Sequence, residues 1–360
     1  MPKSCWPDFV EGRGAPANPV PQRFNMLDRV ADGDWLDHQS MTDQPERLVT
    51  SVTLEKPKSI ISRNTSPDIP FDRSINPYRG CEHGCVYCYA RPTHAWHDLS
   101  PGLDFESRLF AKPDAADLLR SELARKSYRV APIAFGTNTD PYQPIERDYG
   151  ITRACLAVLA ETGHPLTITT KSDRVMRDID ILAGMAARGL VAVAISITSL
   201  DAKTHRTLEP RAPSPEKRLA AISALAKAGI PAHISIAPII PGVTDHELEA
   251  LVAAGAAAGA ATASYIPIRL PHEVAPLFRA WLDVHYPERA EKVMSLIRQM
   301  RGGSDNDPTY FNRMRGSGPW ADLMRVRFRR ACRAAGLNTE RVTLRTDLFR
   351  PPAGRQLSLF

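Results

Sequence analysis

The middle of the chain alternates between short apolar runs and longer amphipathic stretches. Apolar runs typical of buried strands occupy 132–135, 166–170, 191–197, 232–237 and 263–268. Alanine- and leucine-rich stretches with helical periodicity lie near 114–126, 149–162, 174–188, 214–229 and 244–258. Strands that alternate with helices at this spacing pair in parallel through right-handed crossovers. The pattern therefore predicts an α/β fold built on a parallel sheet.

The pattern changes on either side of this region, which predicts four segments. Residues 1–70 contain many prolines and lack sustained periodicity, so we expect an irregular N-terminal arm in which 51–54 could form a short edge strand. A core of residues 71–270 begins with a first strand that ends in 73–78. Residues 271–349 predict a helical, basic C-terminal extension, and 350–360 predict a flexible tail.

Length and composition exclude several classes of protein. A chain of 360 residues, 43% of them hydrophobic, can bury one large core or two smaller ones. No apolar run is long enough to span a bilayer, and the N-terminus lacks a signal-peptide pattern, so we expect no membrane partner. Cys5, Cys155 and Cys332 are scattered, which favours a reducing cytoplasm over a disulfide framework. A net charge of +6 slightly favours a polyanionic partner.

Three further cysteines are concentrated in one short loop. Cys81, Cys85 and Cys88 have the spacing C-x3-C-x2-C, and Gly80 and Gly84 permit the turns that such a loop requires. Thiolates this close can converge on one metal centre. A four-iron cluster held by three thiolates keeps one iron without a protein ligand, and that iron can bind and activate a small molecule.

The spacing alone also allows other interpretations of this loop. The cysteines could form a disulfide pair or remain three unrelated buried thiols. They could also bind zinc, which would need a fourth ligand. Nearby histidines could supply it, namely His83, His94 or His97.

With Tyr87 directly before the third cysteine, the loop resembles the signature of the radical S-adenosylmethionine (radical SAM) enzymes. The resemblance implies that Cys81, Cys85 and Cys88 hold a [4Fe-4S] cluster whose open iron binds SAM, with Tyr87 helping to hold SAM. An electron from a donor such as a flavodoxin or ferredoxin would cleave SAM to a 5′-deoxyadenosyl radical. The implied fold is a partial (β/α)6 TIM-like barrel with catalytic groups at the C-terminal ends of its strands.

Polar residues that follow the predicted strands are candidates for binding SAM. The turn 136–144 offers Thr139 and Asp140 for the amino group of SAM, although an ordinary Asx turn has the same composition. Lys171 could pair with the carboxylate of SAM, or be solvated. Ser196 is expected to face into the barrel, as a ligand contact or a core hydroxyl. Arg206 resembles a residue that many members use around SAM, but a surface ion pair would have the same sequence.

Within this superfamily, the Asn-Pro-Tyr-Arg-Gly-Cys run, the Thr-Asp turn and the Thr-Lys-Ser segment resemble the spore photoproduct lyase branch, over about 60–270. That lyase repairs a thymine dimer in DNA and uses a cysteine to return hydrogen. Here the matching region carries Thr137, whose O–H bond is too strong to replace a thiol. The resemblance thus implies hydrogen-atom abstraction from nucleic acid, DNA above all, but not thymine-dimer repair. An RNA or protein substrate, and a non-catalytic metal-stapled nucleic-acid-binding protein, are the alternatives.

The C-terminal region adds two candidate binding segments. Tyr310 and Phe311 stand beside the densest cluster of arginines, and such residues can stack on bases and hold phosphates, or simply form a solvated face. The last five residues resemble the pentapeptide with which bacterial proteins bind the sliding clamp. Its anchors would be Gln356, Leu357, Leu359 and Phe360. In the N-terminal arm, the segment around Arg13 predicts turns that belong to a loose tail, a wrap over the barrel mouth or a nucleic-acid contact.

Overall fold

The structure, a computed structural model, describes residues 12–16, 18–19 and 48–352. The described strands are β1 (Ser51–Leu54), β2 (Ile61–Arg63), β3 (Arg73–Ile75), β4 (Tyr78–Arg79), β5 (Arg108–Ala111), β6 (Ile133–Phe135), β7 (Leu166–Thr170), β8 (Val191–Ser196), β9 (Ala232–Ile239) and β10 (Thr262–Pro267). Seven of them form one sheet in the order β10-β9-β8-β7-β6-β3-β2. The other three form a small sheet in the order β1-β5-β4.

The large sheet confirms the predicted α/β fold. From β3 through β6 to β10, each strand pairs in parallel with its neighbour, and β2 adds an antiparallel strand at one edge. The six parallel strands are consistent with a partial barrel, since β10 and β2 remain as separate edges. All six parallel strands end on the same side of the sheet, so the segments that follow them are brought together there.

Helices cover this sheet as the periodicity predicts. The described α-helices are α1 (Asp104–Ser107), α2 (Ala115–Leu123), α3 (Glu146–Tyr149), α4 (Ile151–Glu161), α5 (Ile179–Ala186), α6 (Ala202–Leu208), α7 (Pro215–Lys227), α8 (Leu248–Ala257), α9 (Val274–His285), α10 (Ala290–Met300), α11 (Asn312–Arg315) and α12 (Gly318–Ala334). Short 3-10 helices span Arg91–His97, Asp173–Asp178 and Asp245–Glu247. Helix α7 shows why the bounds follow the sequence: the Ser214 hydroxyl caps its N-terminus, Pro215 opens its first turn, and Gly229 follows its end in the left-handed region.

The main core lies against one face of the parallel strands, between them and the helices. Ile133, Ile168, Val193, Ile195 and Ile234 are fully buried in one hydrophobic cluster. The intervening residues point to the opposite face and are less buried, so burial alternates along β7 and β8. The β-branched residues pack well on a pleated surface, and this composition distinguishes the strands from the alanine-rich helices beside them.

The predicted first strand is in fact two strands in two sheets. Strand β3 ends at Ile75, and the next strand, β4, pairs antiparallel with β5 in the small sheet. Pro77 lies at the break, and a proline removes a donor that a continuous strand would need. The predicted edge strand at 51–54 is confirmed as β1. The predicted irregular arm, however, also contains β2, which has only three residues and is too short to produce a period in the sequence.

The described part of the C-terminal extension is helical from α9 to α12, and residues after Ala334 form turns and irregular structure. None of the described helices combines the length and the apolar character needed to cross a membrane. The clamp-binding-like residues lie outside the described residues, so their role stays a prediction. They are Gln356, Leu357, Leu359 and Phe360.

Candidate active site

The cysteine loop connects β4 to the 3-10 helix Arg91–His97. Cys81 and Cys85 are buried, Cys88 is partly exposed, and all three are free thiols. Gly80 and Gly84 have φ values of 71° and 67°, a region that other residues rarely adopt, so both glycines are needed for this path of the backbone. Burial raises the pKa of the Cys85 thiol to about 12. The positive charge of Lys171 opposes this shift, and bound iron would favour the thiolate further.

The donor set fits an iron–sulfur cluster. Three free thiols lie in one short loop, at the side of the sheet where the parallel strands end. In the part of the chain that the structure describes, no three His, Cys, Asp or Glu side chains are arranged to hold a single metal ion. In a four-iron cluster each thiolate binds a different iron atom, so the three sulfurs need not meet at one point.

All three histidines considered as zinc ligands have other contacts. His83 Nδ1 lies 3.4 Å from Asp140 Oδ2, and both side chains are buried. His94 Nε2 lies 2.9 Å from the carbonyl oxygen of Arg108 and its ring packs against Phe105. Burial lowers the pKa of His94 to about 4, so this imidazole is neutral at physiological pH. His97 packs its ring against Phe110.

Asp140 connects the turn after β6 to the end of β7. Its Oδ1 accepts hydrogen bonds from the Thr170 hydroxyl at 2.6 Å and the Tyr142 N–H at 2.9 Å. Its Oδ2 accepts one from the Lys171 N–H at 2.7 Å. Burial opposes ionisation, but His83 and these donors lower the pKa of Asp140 to about 2. Both oxygens are thus engaged by the protein, and the carboxylate braces the turn against its neighbours.

Thr139 is likewise turned toward the cysteine loop. Its hydroxyl donates to the carbonyl oxygen of Gly80 at 2.6 Å and accepts a bond from Gln143 Nε2 at 3.0 Å. Gln143 is fully buried and also receives the N–H of Glu82 at 3.0 Å. Thr139 and Gln143 therefore bond directly to the loop that carries the cysteines.

Tyr87 belongs to a buried network around Glu209. Its hydroxyl donates to Glu209 Oε1 and lies 3.1 Å from the Thr198 hydroxyl. Arg218 binds the other carboxylate oxygen of Glu209, and His205 Nδ1 lies 3.4 Å from it. Although burial raises it, the pKa of Glu209 is held well below its usual value, chiefly by Arg218. The network ties the cysteine loop to the ends of β8 and α6.

The remaining sequence-predicted contacts separate into two groups. The Lys171 ammonium lies 5.8 Å from the centroid of the Tyr87 ring, so it is close to the cysteine loop. Ser196 is buried at the end of β8, on the same side of the sheet as that loop. Arg206, by contrast, is exposed on α6 while its neighbour His205 is buried. The structure does not bring Arg206 into the network that contains Tyr87.

A second group of residues lies beside Cys88. We call the surface formed by Tyr89, Arg269 and Thr137 the mouth of the site. Tyr89 is half exposed and its hydroxyl donates to the carbonyl oxygen of Thr137. The Arg269 guanidinium lies 5.5 Å from the centroid of the Tyr89 ring. Asn76 Oδ1 accepts the Asn138 N–H at 2.9 Å, which fixes the turn that contains Thr137. Thr137, which lies in the region where the resemblance predicts a cysteine in the lyase branch, is therefore in contact with the cysteine loop.

Comparison with known proteins identifies the superfamily. The family model described as the radical SAM superfamily matches residues 75–254, which run from the last residue of β3 through the cysteine loop and into α8. The chain belongs to the radical SAM superfamily. It is a radical SAM enzyme, and members of this superfamily use an iron–sulfur cluster and SAM. The resemblance drawn from the cysteine loop is thereby confirmed at the level of the superfamily.

Individual relatives of this radical SAM enzyme cover only part of the chain. An uncharacterized protein of Mycobacterium tuberculosis is 39% identical over 233 residues, which is 64% of this chain and 68% of the relative. An uncharacterized protein of Methanocaldococcus jannaschii is 32% identical over 173 residues, or 48% of this chain and 62% of the relative. Among solved structures, spore photoproduct lyase complexed with dinucleoside spore photoproduct has a TM-score of 0.48 at 18% identity, covering 66% of each chain.

Sequence reasoning missed Arg218 as the partner of Glu209. The signal was present, because Arg218 shares a helix face with Ile222 and Leu225, all three of which are buried. An arginine on the apolar face of an amphipathic helix indicates a buried ion pair. Gln143, Arg91 and Glu106 have no comparable signal, because they lie in a loop or in helices of seven residues or fewer, which show no clear apolar face.

Proposed function

We propose that this radical SAM enzyme abstracts a hydrogen atom from a nucleic-acid substrate, with Cys81, Cys85 and Cys88 holding a [4Fe-4S] cluster. When bound, the cluster and SAM would supply the 5′-deoxyadenosyl radical that radical SAM enzymes use for this chemistry. The observation that carries the proposal is the loop of three free thiols beside Lys171 and the buried Tyr87 hydroxyl. A flavodoxin or ferredoxin would supply the electron, and a reducing cytoplasm would protect the cluster.

We assign different tasks to the residues expected around SAM. Lys171 is the cation available to the carboxylate of SAM, and Tyr87 and Ser196 would form part of the wall of its site. Asp140 and Thr139 would act indirectly, because their oxygen atoms already bond to protein groups and hold the turn in place. Arg206 is the weakest of the candidates, since its side chain is exposed on α6.

The nucleic-acid part of the proposal is supported by the side chains at the mouth. Arg269 stacks on Tyr89 and its Nη1 contacts Met314 Sδ, which places α11 beside the cysteine loop. On this segment Tyr310 and Phe311 are half exposed, and the Arg313 guanidinium lies 4.9 Å from the Tyr310 ring centroid. Exposed aromatic rings next to arginines can stack on bases and neutralise phosphates.

The arginines of α12 support this proposal less. Arg327 forms an ion pair with Glu249 and Arg325 with Asp322, so part of this helix is a paired surface. The mouth is therefore the better candidate for the substrate surface than the helix with the most arginines.

Anaerobic purification and assay test the proposal. We expect a brown protein that, with SAM and a reductant, forms 5′-deoxyadenosine, and that forms more of it with single- or double-stranded DNA. Tyr310→Ala and Arg269→Gln should lose the stimulation, whereas Arg330→Gln, an exposed residue of α12, should keep it. Stimulation by RNA or protein alone would overturn the choice of DNA. A colourless protein with one zinc would favour the non-catalytic alternative.

Spore photoproduct repair should be inefficient. The lyase needs a hydrogen donor, and the corresponding position here is Thr137, whose hydroxyl cannot donate hydrogen to a carbon radical. The purified enzyme should be assayed with dinucleoside spore photoproduct under the conditions of SAM cleavage. Robust multiple-turnover repair would contradict this expectation and would point to another donor at the mouth, where Tyr89 bonds to the Thr137 carbonyl.

A further inference from the structure

A short N-terminal segment lies directly against the cysteine loop, although about 70 residues separate the two along the chain. We call residues 12–16 the strap. Arg13 is 4% exposed and Ala15 is fully buried, which is unusual for a segment of an irregular arm. A Cβ atom on Gly14 would lie 1.5 Å from the carbonyl oxygen of Gly84. The strap and the loop are thus in backbone contact at the turn between Cys81 and Cys85.

A buried carboxylate connects the strap to the loop. Glu106 is fully buried, and its two oxygens accept the N–H groups of Gly14 at 3.0 Å and Ala15 at 2.8 Å. Arg91 Nη2 donates to the same carboxylate at 2.5 Å, and Arg91 Nε donates to the carbonyl oxygen of Cys85 at 2.9 Å. The chain of bonds therefore runs from the strap through Glu106 and Arg91 to the backbone of a cluster ligand.

Arg13 makes a second connection to the same half of the loop. Its guanidinium donates to the carbonyl oxygens of Glu106 at 2.9 Å and Leu48 at 2.5 Å, and contacts the Thr50 hydroxyl at 3.4 Å. That hydroxyl donates to Glu82 Oε1 at 2.7 Å, and Glu82 directly follows Cys81. Hydrogen bonds to charged groups in a buried site are strong. Removing one partner is costly in free energy, because it leaves the other group buried and unsatisfied.

We propose that the strap is a positioning element for the cluster, a role that rests on the proposed cluster site. Arg13 and Gly14 fix the backbone between Cys81 and Cys85 without touching the cluster themselves. With the strap displaced, the three thiols lose their preset geometry, and the loop has to be ordered each time a cluster binds. The strap therefore controls how well the cluster is retained.

Gly14→Ala is the sharpest variant, because its φ lies outside the left-handed region and only the contact with Gly84 opposes a methyl group there. Gly184→Ala is the matched control, since a Cβ on Gly184 meets nothing within 4 Å. Hydrogen exchange of residues 81–88, followed by mass spectrometry on the full-length apo protein, reads the loop directly. Iron release to a chelator from the reconstituted protein reads retention.

We expect Gly14→Ala to speed exchange in the loop and iron release by about tenfold or more, with unchanged exchange in β7 and β8. Gly184→Ala should match the wild type in both. Unchanged loop exchange in Gly14→Ala would overturn the proposal. If this variant fails to fold, Arg13→Gln is read in the same way, and Arg13→Lys should not restore the loop because it lacks the forked donors. A wild type that binds no iron would defeat the proposed function, whereas the exchange measurement on the apo protein would still test the strap.

Discussion

Buried glutamates hold together the loops around the cysteine motif. Glu106 binds the strap and Arg91, Glu209 binds Tyr87 and Arg218, and Glu146 binds Tyr78 and Arg177. A carboxylate can be buried only when donors satisfy it, so each of these residues gathers partners from distant parts of the chain. At the scale of single residues, the site is therefore shaped by charged side chains as well as by the three cysteines.

Loss of any one cluster ligand should abolish the cluster. Cys81→Ala, Cys85→Ala and Cys88→Ala each remove one of three thiolates, and we expect no stable iron after anaerobic reconstitution. Iron and sulfide analysis with visible absorbance measures this. Cys155→Ala and Cys332→Ala are matched controls, because Cys155 is buried in α4 and Cys332 in α12. Full iron content in any of the three loop variants would contradict the assignment.

Removing the carboxylate of Glu209 should be costly to stability. Glu209→Ala leaves the guanidinium of Arg218 buried beside a gap, and breaking a buried pair in this way costs about 3–5 kcal/mol. Glu209→Gln should cost less, because an amide oxygen can still accept a hydrogen bond from Tyr87 or Thr198. Urea unfolding of the apo protein gives the free energies. Equal stability of Glu209→Ala and the wild type would show that the pair is not buried as described.

At the scale of elements, local pattern determined what the sequence could predict. The strands β6 to β10 and the helices α2, α4, α7 and α8 were predicted within a few residues, whereas the short helices α3 and α6 were not. The arrangement of β3 and β4 was not, because strands of two or three residues carry no period and their sheets depend on distant pairing. Likewise, the sequence predicted that Asp140 and Lys171 follow strands and lie near the site. It could not predict the hydrogen bonds that Asp140 accepts.

An ion pair between Asp68 and Arg313 helps to attach the segment that carries Tyr310 and Phe311, and it is sensitive to acid. Hydrogen bonding to Arg313 lowers the pKa of Asp68 to about 2, from 3.8. A lowered carboxyl pKa stabilises the fold fully above about pH 4, and this contribution is lost as the pH falls toward 2.

Asp68→Asn should therefore lower the free energy of unfolding at pH 7 by about 1 kcal/mol. The difference from the wild type should shrink between pH 4 and pH 2. Urea titrations of the apo protein at several pH values measure it. Asp148→Asn, in an exposed pair with Arg147, should change stability little. A difference that is constant down to pH 2 would exclude a stabilising ionised Asp68.

At the scale of the whole molecule, the two ends of the described chain are attached on opposite sides of the sheet. The strap lies against the cysteine loop, which is on the side where the parallel strands end. Residues 345–350 lie on the other side: Arg345 N–H donates to Gly189 just before β8, and Arg350 N–H donates to Thr162 just before β7. Phe349 packs on Tyr128 and His164. The sequence could not predict these contacts, because they join irregular segments that are far apart along the chain.

This placement gives the last prediction its physical basis. Arg350, at the start of the predicted tail, is bonded on the side away from the cysteine loop, so deleting 356–360 should leave iron content and SAM cleavage intact. The same deletion should remove binding to the bacterial sliding clamp.

A short peptide buries little area and has to become ordered when it binds, so the affinity should be modest, on the order of micromolar. Leu359→Ala or Phe360→Ala should lose most of it, because apolar anchors dominate such contacts. Fluorescence anisotropy of a peptide of the final residues, titrated with the clamp, decides the question, and no saturable binding at high micromolar clamp would remove this partner from the proposal.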